Sequence, residues 1–501
     1  MVRNTALVVL GWLILAGYCY QQQDIDALWL WVSLSLPFGL LLLFAWRSGY
    51  VVPLLFAALA FLSHAVQPPL FFIYQREFGA IKDFDFSLER FFSIYQYVLF
   101  YVFVTVVATI LLNRIVFRRK TQQLSPHASI KYPGQRQLLS LGLVRGTLFS
   151  QLKFTFLLTA LIVPAALLNV WMYNNNVAIT GVESTYLPFR LTGILYYSSR
   201  FFLPVVLFFI YMRTSRSWFP ASLLLLYAFW AGISQVSRTT ITTLALPVLV
   251  FVVIERRWLM GLAASLFFLT AYQWVGQARA FVYYVSNGAS HASLDRSLSD
   301  LIQITVSTNG IQSIFEGLFS LLYRIGGARD VVLAFHYNTA SMGGSWNAFW
   351  NFFLARPVSD EYMTALFGML FPRGFAEAIQ FSANIILIAD KNWVALFVVS
   401  LWVAIYLTLG ELLARSYITS THLPIVGYVV SGLYVILLYA LGTMGWFYRF
   451  IAVIVGFLFV LRLGRSLLRQ QHLSHATIDF STFMPDPRHR LGSSNTADIQ
   501  K

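Results

Sequence analysis

Long, nearly uncharged apolar runs follow one another along most of this 501-residue chain. A helix needs about 20 apolar residues to cross the hydrocarbon core of a bilayer. Because no water reaches that core, a spanning chain must form helices or a closed β-barrel. The runs here are continuous, whereas barrel strands alternate between apolar and polar positions. The sequence therefore predicts an all-α fold, a polytopic integral membrane helix bundle.

The composition is that of a chain with most of its surface in lipid. Only 11% of the residues are charged and 58% are hydrophobic, against about 25% charged in a soluble domain. We predict about 12 transmembrane helices. They cover approximately residues 5–22, 27–46, 51–73, 93–113, 151–173, 190–212, 218–235, 240–255, 258–275, 393–413, 424–441 and 447–463. The first run lacks a convincing small-residue cleavage site, so we interpret it as a retained span.

Basic residues set the predicted orientation. Arginine and lysine concentrate in alternate connections, above all in segment 118–150, and such an excess is typical of cytoplasmic loops. We therefore predict a multi-pass protein with both termini in the cytoplasm. The same rule accounts for the net charge of +15, so no nucleic-acid partner is expected. Segment 118–150 is expected to lie on the anionic inner leaflet.

Four regions follow from this topology. Residues 1–276 form an N-terminal bundle of about nine spans, and 277–392 form a large outer loop with short helices. Residues 393–466 hold the C-terminal spans, and 467–501 form a polar tail that is predicted to be disordered. Residues 277–391 contain six arginines, two histidines and eight carboxylates. A connection of this length usually has a function, and we expect it to cover an active site.

Two pieces of the outer loop are not simply polar. The apolar spacing over 301–322 predicts a helix that either lies at the membrane interface or packs back against the bundle. The Gly-rich piece Ala340–Trp350 is flanked by aromatic residues. Aromatic residues at this depth usually anchor a protein at the interface, and the alternative is stacking on sugar faces.

A set of arginines at the outer surface is the main functional signal. Arginine in or beside a membrane span marks a partner or a ligand, and the rule for cytoplasmic loops does not explain outer arginines. A guanidinium group matches the oxygens of phosphate, so a cluster would suit a pyrophosphate-linked substrate. The set is Arg238, Arg279, Arg324, Arg329, Arg373 and Arg449. Each could instead pair with a carboxylate, such as Asp330, Asp360, Glu377 or Asp390.

Three residues of the loop are candidates for proton transfer. His336, Asp330 and Glu316 could act as a general base on a sugar hydroxyl, although a lone histidine is more often a packing residue. Asp83 and Asp85 could bind a divalent cation or form a turn capped at Ser87. The sequence contains no HExxH, Walker, GxSxG or dinucleotide-binding motif. The single cysteine, Cys19, excludes an internal disulfide and a cysteine-based metal site. No metal and no cofactor are predicted.

The chain resembles the bacterial oligosaccharide repeat-unit polymerases of the O-antigen polymerase type. The resemblance rests on about a dozen spans with a large loop in the C-terminal half. It rests also on the segments SQVSRTTITTLALPVLVF, LFPRGF and GWFYRF, which contain Arg238, Arg373 and Arg449. The resemblance implies a multi-pass enzyme of the bacterial inner membrane, with the large loop in the periplasm.

The resemblance also implies a reaction. A glycan on undecaprenyl pyrophosphate is transferred to the sugar of an incoming lipid-linked repeat unit, as in O-antigen, capsule or exopolysaccharide synthesis. The arginines would stabilise the departing pyrophosphate, and a carboxylate or histidine would take the hydroxyl proton. The implied partners are lipid-linked glycans, membrane lipids, a flippase and a chain-length regulator.

Three other functions stay open at this level. A metal-dependent glycosyltransferase that uses polyprenyl-phosphate sugars would need Asp83 and Asp85. A ligase that moves finished glycan to the lipid A core would share the arginines and His336. A flippase or transporter would place paired charges within its spans, whereas the predicted spans are nearly free of charge between their ends.

Overall fold

A computed structural model describes the chain over 24–70, 87–121, 148–177, 187–211, 218–254, 257–288 and 381–418. It also describes residues 73, 179, 185, 214 and 301–303, and parts of 13–21, 313–321, 331–335 and 431–438. Every regular element in these residues is helical. The chain divides into two units, 1–449 and 450–501, and all described residues belong to the first.

One group of helices packs together from distant parts of the chain. It comprises α1 (Ile25–Ser48), α2 (Val51–Phe61), α3 (Leu88–Thr121), α10 (Phe381–Ala389) and α11 (Trp393–Ile418). The turn after α2, Leu62–Val66, is a π-helix. Local chemistry sets the ends of α1, because Asp24 Oδ1 accepts from the N–H of Ala27 at 3.0 Å and Gly49 adopts a left-handed conformation with φ 78°. These are common ways of capping the start and the end of a helix.

The helices of a second group follow one another directly along the chain. It comprises α4 (Leu148–Asn174), α5 (Leu191–Tyr197), α6 (Leu203–Tyr211), α7 (Trp218–Ser234), α8 (Arg238–Ile254) and α9 (Trp258–Gly288). A π-helical turn, Ser198–Phe202, joins α5 to α6. Helices α7, α8 and α9 pack on one another around a cluster of buried apolar residues.

Six helices in the described residues are long and apolar enough to cross a membrane. They are Ile25–Ser48, Val51–Leu70, Leu88–Phe117, Leu152–Asn174, Trp258–Arg279 and Trp393–Arg415. Helices occur at each of the predicted spans from 27–46 to 393–413. The predicted span at 447–463 lies outside the described residues, and those at 5–22 and 424–441 are described only in pieces. The chain is therefore a helical membrane protein with at least six candidate spans.

Two helices are longer than the apolar runs that predicted them. Helix α3 extends beyond 93–113 in both directions, and α9 continues from 275 to Gly288. The added residues include Arg, Lys, Gln and Ala, which favour helix as strongly as apolar residues do. Hydropathy therefore located the part of each helix suited to hydrocarbon, and helix propensity carried the helix further.

Helices α3 and α11 run parallel. The ring of Tyr97 stacks on Trp393 with centroids 4.1 Å apart, and Thr105 Oγ1 donates to the Ser400 carbonyl at 3.4 Å. Further along, the guanidinium of Arg415 lies 4.2 Å from the Phe117 ring. The residue numbers rise together on both helices. This direction is what the predicted order of spans requires, whichever side of the membrane each end faces.

Part of the predicted outer loop is a buried helix. Helix α10 is short, and all its described side chains are buried. Ser382 Oγ lies 2.9 Å from Nε2 of His64 and 3.4 Å from the Tyr101 hydroxyl. Trp393 lies at the level of Tyr97, and Tyr101 follows Tyr97 by one helical turn, about 6 Å along α3. The chain thus returns alongside the apolar part of α11 before it turns back at Asp390 and Lys391, which both have positive φ.

The helix predicted over 301–322 packs against the bundle where the structure describes it. Leu301 is buried in the apolar cluster of α7, α8 and α9, and Ile302 and Leu321 pack on the same cluster. A Cβ on Gly317 would overlap the backbone carbonyl of Leu269 in α9. Of the two alternatives for this segment, its described residues therefore show packing against the bundle.

Candidate functional site

Helix α9 brings predicted site residues together. Tyr272 and Gln273 precede Gly276 by four and three positions, and Arg279 follows it by three, so the four residues form a broad stripe on one side of this helix. Arg279 is the last residue of its membrane-spanning part, Trp258–Arg279. The stripe therefore occupies the last two turns of the apolar segment, at the depth where the polar headgroup region of a bilayer begins.

Arg238 reaches this stripe from α8. It is the first residue of that helix, and its Cζ lies 4.9 Å from the centre of the Tyr272 ring, a cation–π contact. A Cβ placed on Gly276 would overlap the guanidinium group at Nη2. Glycine at 276 is therefore what allows the guanidinium to lie against α9.

Glu316 reaches the same stripe from the predicted loop helix. Its Oε2 accepts a hydrogen bond from Nε2 of Gln273 at 2.9 Å, and Gln273 lies one turn from Gly276. The close backbone approach at Gly317 holds this segment on α9. A carboxylate and a guanidinium group thus occupy neighbouring turns of one helix face.

The nine predicted site residues divide by whether the structure describes them. Arg238, Arg279 and Glu316 are described and belong to this stripe or contact it. The other six lie outside the described residues. They are Arg324, Arg329, Arg373, Arg449, Asp330 and His336. Asp83 and Asp85 also lie outside, and no metal-binding group of three His, Cys, Asp or Glu residues occurs in the part of the chain that is described.

The turn before Arg238 has an unusual backbone. Val236 is buried and has φ 52°, and the N–H groups of Val236 and Ser237 bond to the carbonyls of Ile233 and Gly232 at 3.0 and 2.8 Å. This is the Schellman helix ending, in which glycine usually occupies the left-handed position. A left-handed conformation costs a β-branched residue roughly 1–2 kcal/mol. Such strain persists only where surrounding contacts hold it, and it is concentrated at functional sites.

Arg200, which lies inside the predicted span 190–212, was not among the predicted site residues. Its side chain is 3% exposed. Nε donates to Gln235 Oε1 at 3.1 Å and Nη1 donates to the Tyr196 hydroxyl at 2.7 Å. The expectation that spans are nearly free of charge between their ends is therefore wrong for this helix. Arginine in the middle of an apolar run was the available signal.

Glu411 is a second buried charge that was not among the predicted site residues. It is 1% exposed, and its carboxylate accepts from Arg415 Nε at 3.1 Å and from the N–H of Val52 at 2.8 Å. The rings of Tyr50 and Phe117 lie on the Arg415 guanidinium. The contacts described for this pair fasten α11 to α2 and α3, so we interpret the pair as structural.

A substitution at Glu316 can separate its proposed role as a base from its role in packing on α9. Glu316→Gln retains an oxygen that can accept from Gln273, so the contact with α9 should persist while the carboxylate is lost. If the chain transfers glycan, as its resemblance to the repeat-unit polymerases implies, and Glu316 takes the acceptor proton, the transfer rate should fall by roughly 10²–10⁴-fold with little change in thermal stability. A Gln273→Leu variant serves as the control that removes only the hydrogen bond. An unchanged rate in Glu316→Gln would leave Asp330 or His336 as the base.

Comparison of the chain with protein-family models, curated proteins and solved structures gave no match.

Proposed function

We propose that the protein is a polymerase of undecaprenyl-pyrophosphate-linked oligosaccharide repeat units at the periplasmic face of a bacterial inner membrane. The observation that carries the proposal is the position of Arg238 and Arg279 at one end of an apolar helix, with the carboxylate of Glu316 one turn away. A lipid-linked substrate presents its pyrophosphate at that depth, while its polyprenyl chain stays among apolar helices.

The proposed reaction uses the enzyme's own side chains. A hydroxyl oxygen of the incoming repeat unit attacks the anomeric carbon of the growing glycan, and the bond from that carbon to the pyrophosphate oxygen breaks. The electron pair leaves with undecaprenyl pyrophosphate, whose developing charge is stabilised by Arg238 and Arg279. The hydroxyl proton passes to Glu316, or to Asp330 or His336. The energy comes from the glycosyl phosphate bond, so no nucleotide is required.

The remaining arginines of the predicted set extend the same proposal. Arg324, Arg329, Arg373 and Arg449 would contribute further positive charge around the pyrophosphate. A flippase that supplies repeat units and a regulator of chain length are the expected partners. Both termini are expected in the cytoplasm because basic connections alternate along the chain.

Deletion of the gene in its bacterial host tests the proposal, with a gel of the surface glycan as the readout. A polymerase deletion leaves single repeats on the carrier or core and removes the ladder of longer chains. Loss of all repeats from the lipid A core, with polymer left on the lipid carrier, would instead identify a ligase. Loss of repeats from the periplasmic side would indicate a flippase or transporter.

Activity in the presence of a chelator distinguishes the proposed polymerase from a metal-dependent glycosyltransferase. The proposed transfer does not require a divalent cation, so membranes treated with EDTA should extend glycan at the untreated rate. A metal-dependent polyprenyl-phosphate-sugar glycosyltransferase would lose activity, and an Asp83→Asn, Asp85→Asn double variant would reproduce that loss.

A further inference from the structure

We propose that Arg200 is a positioning residue, which holds the turn between α7 and α8 so that Arg238 points at Gly276. The inference rests on the proposed function only where Arg238 is taken to bind pyrophosphate. Its structural part, that Arg200 keeps a strained turn at Gln235 and Val236 in place, does not depend on any ligand.

Arg200 binds both the side chain and the backbone carbonyl of one residue in the turn, Gln235. Its Nε donates to Gln235 Oε1 at 3.1 Å, and its Nη2 donates to the Gln235 backbone carbonyl at 3.4 Å. Gln235 is the residue immediately before the left-handed Val236. A planar guanidinium can hold a side-chain oxygen and a backbone oxygen together, whereas a lysine ammonium lacks this fixed fork.

The side chain of Gln235 is fixed from two further directions. Its Nε2 donates to Asn169 Oδ1 in α4 at 3.0 Å, and its Oε1 accepts from the Thr240 hydroxyl at 3.0 Å. Residues 169, 200, 235 and 240 are all buried. A hydrogen-bond network in surroundings of low polarity is strong when it is satisfied, so these contacts hold the side chain of Gln235 in place.

Arg200 is itself oriented by its helix. It lies in the π-helical turn Ser198–Phe202, and such turns are frequent at functional sites. The hydroxyl of Thr243 in α8 donates to the Arg200 backbone carbonyl at 3.1 Å. The Tyr196 ring lies 4.0 Å from its Cζ. The π turn and α8 thereby fix where the guanidinium points.

A shift of Gln235 would be transmitted to Arg238 through only two residues of backbone. Val236 and Ser237 separate the held Gln235 from the first residue of α8. If Gln235 were released, Val236 would relax from its left-handed conformation, and the direction of the α8 N-terminus would change. Arg238 would then no longer lie between Tyr272 and Gly276. Arg200 thus acts on the proposed site without touching its ligand.

Hydrogen exchange tests the structural part without any ligand. In Arg200→Lys, the backbone amides of residues 231–240 should exchange at least tenfold faster than in the wild type, because the carbonyl and side chain of Gln235 lose their shared donor. Exchange in α11 should not change. Unchanged exchange over 231–240 would overturn the inference.

Binding of geranylgeranyl pyrophosphate tests the link to Arg238. In purified full-length protein, we expect Arg200→Lys to raise the Kd by about tenfold and Arg238→Ala by roughly tenfold to a hundredfold. The double variant should bind as Arg238→Ala does, because Arg200 acts only through Arg238. Additive losses in the double variant would overturn positioning in favour of an independent role.

Two milder variants guard against misfolding. Tyr196→Phe removes the hydroxyl that accepts from Nη1, keeps the ring on the guanidinium, and should raise the Kd by a few-fold. Tyr227→Phe removes the contact of the Tyr227 hydroxyl with Asn169 Nδ2, 3.3 Å away, at the far side of the network, and should leave the Kd unchanged. A wild-type protein that does not bind the probe would contradict the proposed function. The exchange result would then still decide whether Arg200 holds the turn.

Discussion

Arg238→Ala is expected to abolish glycan chain extension while the protein still inserts into the membrane. The residue begins α8, and its guanidinium lies on Tyr272 beside Gly276 at the end of an apolar helix. Loss of one group that stabilises developing negative charge lowers rates by roughly 10²–10³-fold. The measurement is the rate at which membranes extend lipid-linked repeat units, together with the surface-glycan ladder.

The controls for Arg238 separate charge from geometry. Arg238→Lys retains the charge but loses the planar fork, so it should recover only part of the rate. Arg114→Ala removes an exposed arginine from α3 and should leave the ladder intact. A normal ladder in Arg238→Ala would remove this residue from the site and weaken the polymerase proposal.

Gly276→Ala is expected to reduce chain extension nearly as much, although glycine has no chemical group to lose. A methyl group at this position would overlap Nη2 of Arg238 and crowd its Cζ and Nε. The guanidinium must then move away from α9. A displacement of about 1 Å at a reacting centre can cost roughly 10²-fold in rate.

The matched control for Gly276 is another glycine within a helix. A Cβ on Gly193 in α5 would meet no atom within 4 Å. Gly193→Ala should therefore preserve activity and stabilise its helix by roughly 0.5–1 kcal/mol. Equal rates in Gly276→Ala and Gly193→Ala would show that the position of Arg238 against α9 is unimportant for the reaction.

The three predicted site residues that the structure describes stand out in the sequence because each one breaks the local pattern. Arg238 and Arg279 are charges at the ends of apolar runs, and Glu316 interrupts an apolar helical spacing. Arg200 breaks the pattern even more strongly, yet its partners, Gln235 and Tyr196, are ordinary residues in their own segments. Its role follows only from contacts between helices that are far apart in sequence.

The importance of Gly276 could not be predicted from the sequence. Nothing next to it in the sequence predicts a close approach, because the side chain that needs the space belongs to the preceding helix. The same holds for Val236, whose left-handed backbone is contrary to its intrinsic preference. Its conformation is imposed by the ending of α7 and by contacts at Gln235.

By itself, the sequence determined that this chain forms apolar helices and approximately where they lie. Backbone hydrogen bonding in lipid leaves few alternatives, and helix length is a local property. Only the tertiary structure decided that residues 381–389 return alongside α11, that Glu316 meets α9, and that Arg200 bonds to Gln235 in the turn before Arg238. Those outcomes depend on which helix faces pack together, and many pairings of apolar faces have similar energies. The polar contacts that select one pairing are few, and they join residues from distant segments.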